Sequence, residues 1–277
     1  MKKLVIASLI MILVGVIICG AVYAVKGPDI LNQQDLVERS YDVDGEFTNI
    51  SIDVISNDVL FEVATDGVCH VESLDEEGME HEVCVEGDTL VITSENDINT
   101  TIHFLSINTV SPRITVYLPE EEYGNLDIDA DTSDVFLDSG ITFDSVDITI
   151  TTGDITIKDF ETEGDITMDI VTGDANLMDV TCTNLNYNGT TSDIWLQNVI
   201  VAQQMNIDIS TGDVIFDRSD AFSISVDVTT GDIEGLLLSA KSFDCSVITG
   251  DISIPRDGNG GNCHLHIGTG DISIDVA

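Results

Sequence analysis

Eight aspartates recur in this chain at Asp134, Asp154, Asp174, Asp193, Asp213, Asp232, Asp251 and Asp271, separated by 20, 20, 19, 20, 19, 19 and 20 residues. Each is preceded by Thr and then by Gly or Ser, as in Thr152-Gly153-Asp154, Thr172-Gly173-Asp174, Thr211-Gly212-Asp213, Thr230-Gly231-Asp232, Thr249-Gly250-Asp251 and Thr269-Gly270-Asp271. Carboxylates at regular intervals could hold divalent cations, since calcium takes six to eight oxygen ligands and could bridge neighbouring repeats. Asp127, Asp129, Asp131, Asp169, Asp208 and Asp227 would add outward carboxylates to such a site. The motif, however, lacks the Gly-Gly-x-Gly-x-Asp pattern of calcium-binding β-rolls. Asp127-x-Asp129-x-Asp131 approaches a calcium loop most closely, but has neither its glycine nor its distal glutamate. The alternative is a turn: glycine tolerates the backbone angles of a corner, while Thr and Asp side chains satisfy the polar groups that a bend frees. On that reading these residues are structural, and the chain needs no cofactor.

The residues around each aspartate decide what must position it. Relative to the aspartate, positions −8, −6, −4, +1 and +3 are apolar in 38 of 40 cases, Gly189 and Gly235 being the exceptions. Positions −7 and −5 are Asp, Asn, Thr, Ser or His in all 16 cases. Strict period-two alternation means strands with one face in and one out, and a 19–20-residue period means coils stacked on one another. The predicted fold is all-β: a single-stranded β-solenoid of roughly 19–20-residue coils. Ile141, Phe160, Val180 and Val199 suggest a short third side. An earlier coil is readable at 50–61, where Ile50, Ile52, Val54, Val59 and Phe61 fill the same columns around Asp58. Residues 62–125 interrupt the stack and read as β-hairpins capping the amino end; regular coils then occupy 126–277. The sequence stops after a full coil, which leaves Ile272–Ala277 as an edge open to a partner strand or to self-association.

Charge bounds the partners. With 9 Lys+Arg against 51 Asp+Glu the formal net charge is −42, so nucleic-acid binding is excluded for want of a basic groove. Residues 4–25 are 22 positions without a charge, long enough to cross a membrane as a helix. Lys2 and Lys3 before it place the amino terminus in the cytoplasm and the rest outside, giving a single-pass cell-membrane protein. "VYA" at 22–24 offers cleavage as a signal peptide instead, and Cys19 offers lipidation. Residues 26–45 carry no pattern and read as a juxtamembrane tether. Cys69 and Cys84 flank a hairpin and are candidates to pair. Cys245 and Cys263 fall at inward positions, as buried thiols.

No catalytic constellation is evident: the acids are evenly spread, and His264 and His266 alternate outward on the last coil. A binding face is better supported. Position +2 points outward and is mostly polar, yet carries Phe136, Trp195 and Ile215, the last two on adjacent coils. Exposed, they could dock an envelope protein or a glycan; alternatively, the irregular corner folds over them.

The run "ITVYLPEEEYGNLDIDADTSDVFL" followed by repeated "TGDI" resembles the bacterial DUF4097 proteins, the toastrack or "putative adhesin" family. The resemblance spans about residues 46–277. It implies a β-solenoid on the outer side of a bacterial membrane, often behind a short amino-terminal anchor. Some members are similar to LiaG-type components of cell-envelope stress systems. The resemblance supplies no catalytic residues. The expected function is a non-enzymatic adhesin or interaction scaffold of the cell envelope, or alternatively a divalent-cation-responsive stress component built on the Asp ladders.

Overall fold

A computed structural model describes residues 36–95 and 111–277, apart from Glu77 and Ser139. The expected membrane helix at 4–25, the cleavage and lipidation sites, and most of the tether lie outside the described residues. Among the described residues the structure is all-β, with no helix long and apolar enough to cross a membrane.

Two parallel sheets carry the solenoid. In the first, positions −8 to −2 of successive coils pair in register, as Val146↔Ile166 between Thr142–Thr152 and Asp165–Thr172. In the second, positions +1 to +3 do the same, as Ile155↔Ala175 and Ile157↔Leu177. The inward columns of both sheets meet between them: Ile148, Ile150, Ile155, Ile157, Leu185, Ile194 and Leu196 are buried. A third side closes the coil, with Phe160, Val180 and Val199 also buried. Sheet formation follows from the alternation: β-branched residues on one face of a strand can all be buried only if the strands stack with that face inward.

The two departures from the apolar columns are packing adjustments. Tyr187, one position earlier in the same inward row, is buried and bonds Ser192 Oγ through its hydroxyl. Its ring lies 3.2 Å from where a Cβ on Gly189 would stand. Gly235 lies directly over Phe216, whose backbone comes within 1.9 Å of the same hypothetical atom.

Both ends differ from the sequence reading. Asn262–Thr269 pairs with Ser223–Thr230 on one side and with Ser242–Thr249 on the other. The final coil is thus inserted beneath the one that precedes it in sequence. Ile272 and Ile274 are buried, and the edge expected at Ile272–Ala277 belongs instead to 242–254. All strands here run parallel, so the sense of circulation is constant while the direction of climb reverses. The last turn therefore has the opposite hand to the regular ones.

The amino end shows the same device. Residues 89–93 pair in parallel with 49–53, and Arg113–Leu118 with Asp58–Val63, so part of the insert read as hairpins adds another coil outside the first. The remainder is antiparallel: Glu80–Glu86 covers Thr89–Glu95, and His70–Glu76 covers Arg113–Leu118. Leu36–Asp42, read as tether, is a strand paired antiparallel to His70–Glu76. Its inward position 39 is an arginine, which hid the alternation.

Candidate functional site

At each corner the aspartate carboxylate accepts the backbone N–H of the next aspartate in the stack. The bonds run from Asp134 to Asp58 (3.1 Å), Asp154 to Asp134, Asp174 to Asp154, Asp193 to Asp174, Asp213 to Asp193 and Asp232 to Asp213. They continue from Asp271 to Asp232 and from Asp251 to Asp271, recording the inverted order of the last two coils. Glycine precedes most of these aspartates because φ there is strongly positive, +148° at Gly231, and a Cβ would stand 1.8 Å from the Gly212 carbonyl oxygen. Ser133 and Ser192 hold that place in two coils without positive φ. The Thr-Gly-Asp motif thus builds a ladder of inter-coil hydrogen bonds.

The outward acids lie on the exposed face of the first sheet. Asp127 stands opposite Asp147, and burial followed by the charges of Asp127 and Asp169 raises the Asp147 pKa above the usual carboxylate value. Asp129 faces Asp53 and Thr149. Asp169 accepts from Asn188 Nδ2 at 2.7 Å. Asp208 and Asp227 are cross-strand neighbours, whereas Asp131 is exposed near the corner. Among the described residues, no group of three His, Cys, Asp or Glu side chains is arranged to hold a metal ion.

The second sheet carries the apolar surface. Trp195 is 50 % exposed, between Asn176 and Ile215, so the corner does not fold over it. Phe136 is 39 % exposed and pairs with Leu60. Thr156 and Asn176 separate the two apolar pairs, and at about 4.8 Å per coil Phe136 and Trp195 stand about 14 Å apart. Past Leu60, the same face deepens into a trough of about 370 Å³ lined by Glu62, Glu72, Arg113 and Tyr117 among others. There the Tyr117 ring stacks on His70, with centroids 4.4 Å apart. The sequence reading reached Trp195, Ile215 and Phe136 through strand parity; it missed the trough, which requires knowing that 113–118 stacks on 58–63.

A buried polar hub in the cap was also missed. Asp75 is fully buried and accepts from His81 Nε2 at 2.7 Å, Asn57 Nδ2 at 2.9 Å, Arg39 Nη1 at 3.0 Å and Ser73 Oγ. Burial pushes its pKa up, but the hydrogen bonds from His81 and Ser73, the His81 charge and the Asn57 bond together hold it below the usual value. Ser94 Oγ lies 3.3 Å from His81 Nδ1. With four donors on one carboxylate, the group joins 36–42, the first corner and both cap strands. The signal was present in "VESLDEE", where Ser73 and Asp75 take inward positions after Val71.

Cys69, Cys84, Cys182, Cys245 and Cys263 are all free thiols in the structure. Cys182 and Cys263 are buried, which pushes both pKa values up to about 12. Cys245 is only half-buried, because its coil is outermost.

Fold and surface together define a two-sheet parallel β-solenoid with an amino-terminal cap and two separate exposed apolar pairs on its second sheet. The chain belongs to the toastrack family DUF4097, whose model matches residues 47–277. It is similar to the solved structure of a "putative adhesin" from Bacteroides fragilis, with 18 % identity, a TM-score of 0.59, and 88 % of this chain and 100 % of that one covered. A "putative adhesin" from Parabacteroides distasonis matches at 14 % identity and a TM-score of 0.52, covering 87 % and 98 %. One from Parabacteroides merdae has the same identity and score, covering 88 % and 98 %. No curated protein sequence matches the chain.

Proposed function

We propose that this protein is a non-enzymatic surface module, held outside a bacterial membrane by residues 4–25, that binds an envelope protein or glycan through the outer face of its second sheet. The observation that carries this reading is Trp195, half exposed and flanked by Ile215 and Asn176 on a regular sheet. A folded core does not require an indole in that position, and flat, rigid aromatic surface is what sugar rings and protein partners use. The names of the similar structures agree with this class. Catalysis is not supported, because the acids are spread evenly along the regular coils and the Ser94–His81–Asp75 row, buried at His81 and Asp75, is committed to the cap.

The test is sedimentation of the full chain with insoluble cell-wall glycan, and with membranes of the native bacterium, comparing the wild type with Trp195→Ala. Truncation of a central aromatic contact is expected to weaken binding by tenfold or more while leaving the melting temperature unchanged. Retention by both fractions that is unaffected by the substitution would assign binding to another surface.

A further inference from the structure

The end of the rod distant from the cap is unfinished. Its outermost coil, 242–254, leaves Ile252 45 % and Ile254 37 % exposed, in columns whose apolar residues every other coil buries, and Ile248, at the outward position that Val171 also holds half-exposed, is 78 % exposed. Ser242–Thr249 pairs on one side only, and Ile252–Ser253 likewise. Asp251 is the last step of the aspartate ladder, and its carboxylate receives none of the inter-coil amides. The chain closes its other end with antiparallel strands, Glu80–Glu86 on one sheet and His70–Glu76 on the other. Residues 36, 95 and 111, where the described segments end, lie at that capped end, about nine coil spacings and roughly 40 Å away.

We propose that the cover is a second copy of this chain, docked end to end through the same coil, with Ser242–Thr249 antiparallel to its counterpart about a two-fold axis at Cys245. Residues directly opposite in an antiparallel pair share a face, which leaves few registers. The one centred on Cys245 sets Phe243 against Val247, inward to inward, and Asp244 against Ser246, so no two carboxylates face each other. A two-fold contact of this kind is self-complementary and closes after two copies. Charge permits it. Residues 36–165 hold 33 acidic and 3 basic residues, formally −30, whereas residues 166–277 hold 16 and 3, formally −13. The lightly charged ends meet and the heavily charged caps stay apart. One bond must be exchanged: the Phe243 N–H, now held by Asp257 Oδ1 at 3.2 Å, passes to the second copy.

This contact is independent of the Trp195 face. Its test is sedimentation equilibrium of the full chain in density-matched detergent, with Ser246→Glu and Ser246→Lys beside the wild type. Ser246 is on the surface, where its hydroxyl meets His266 Nδ1 at 2.7 Å, so neither variant disturbs the core. Each dimer holds two Asp244–Ser246 pairs. The wild type is expected to dimerise, Ser246→Glu to weaken the dimer by about tenfold, and Ser246→Lys to tighten it, most strongly at low salt. A protein monomeric at every concentration overturns the proposal. So does a dimer indifferent to both charges.

Discussion

Aspartate serves three different ends in this molecule, and its surroundings decide which. The corner aspartates accept backbone amides from the next coil and so act as short inter-coil links. Asp75 is buried but over-supplied with donors, which hold its pKa low. Asp147 has neither advantage: partial burial and the neighbouring Asp127 and Asp169 raise its pKa. The pH consequences have opposite signs. The Asp75 contribution is present above the unfolded carboxylate value of about 3.9 and is lost as pH falls through its lower folded value. For Asp147 the folded state takes up the proton first, so repulsion costs stability at neutral pH and is relieved as pH falls through the raised value. Asp147→Asn is therefore expected to stabilise the protein at pH 7 by about 0.5 kcal/mol, the scale of a cross-strand like-charge pair. The gain should fade as the pH approaches 4. Denaturant melts of the two proteins across that range check it; a gain that persists at pH 4 would show that the amide's hydrogen bonds, and not the lost charge, are responsible.

At the level of elements, what was legible in the sequence is what repeats locally. Each coil states its inward and outward faces by parity and its corner by Thr-Gly-Asp, so the two sheets, the outward position of Trp195 and the buried third side could be read directly. The order of coils could not. Phe243, Cys245 and Val247 fit the same columns as Cys263, Leu265 and Ile267, so both stacking orders satisfy the pattern. The difference resides in the connections. Lys241, in the link leading to the outermost coil, is 1 % exposed; its ammonium meets Asp220 Oδ1 at 2.5 Å and donates to the carbonyls of Gly260 (2.6 Å) and Ala221. It ties the link before the outer coil to the glycine-rich link after it. Lys241→Met should cost about 2 kcal/mol, as it leaves a mostly buried carboxylate with only the Ala221 amide for a partner. Adding Asp220→Leu should recover much of that loss. Thermal melts of the single and double variants measure it, and additive losses would mean the two residues do not act as a pair.

For the whole molecule the governing facts are one-dimensional packing and an uneven charge. Coils touch only their neighbours, so local stability is the sum of a coil's own terms and two interfaces. Formal charge falls from −30 over residues 36–165 to −13 over residues 166–277, while, the outermost coil at 242–254 aside, the apolar columns are equally well buried in both parts. Hydrophobic stabilisation is then similar along the rod, and self-repulsion is the term that varies. Lowering the ionic strength from about 150 to about 10 mM lengthens screening from about 8 to about 30 Å, far enough for carboxylates several coils apart to interact. Amide exchange in residues 126–165 should accelerate on that change by a larger factor than in residues 184–230, although both belong to the regular stack. Sodium chloride should restore protection, and calcium chloride at equal ionic strength should do no more if screening is the whole effect. A calcium-specific gain confined to the strands bearing Asp127 and Asp147 would instead identify that acidic face as a cation site, and the rod as a sensor of its ionic surroundings.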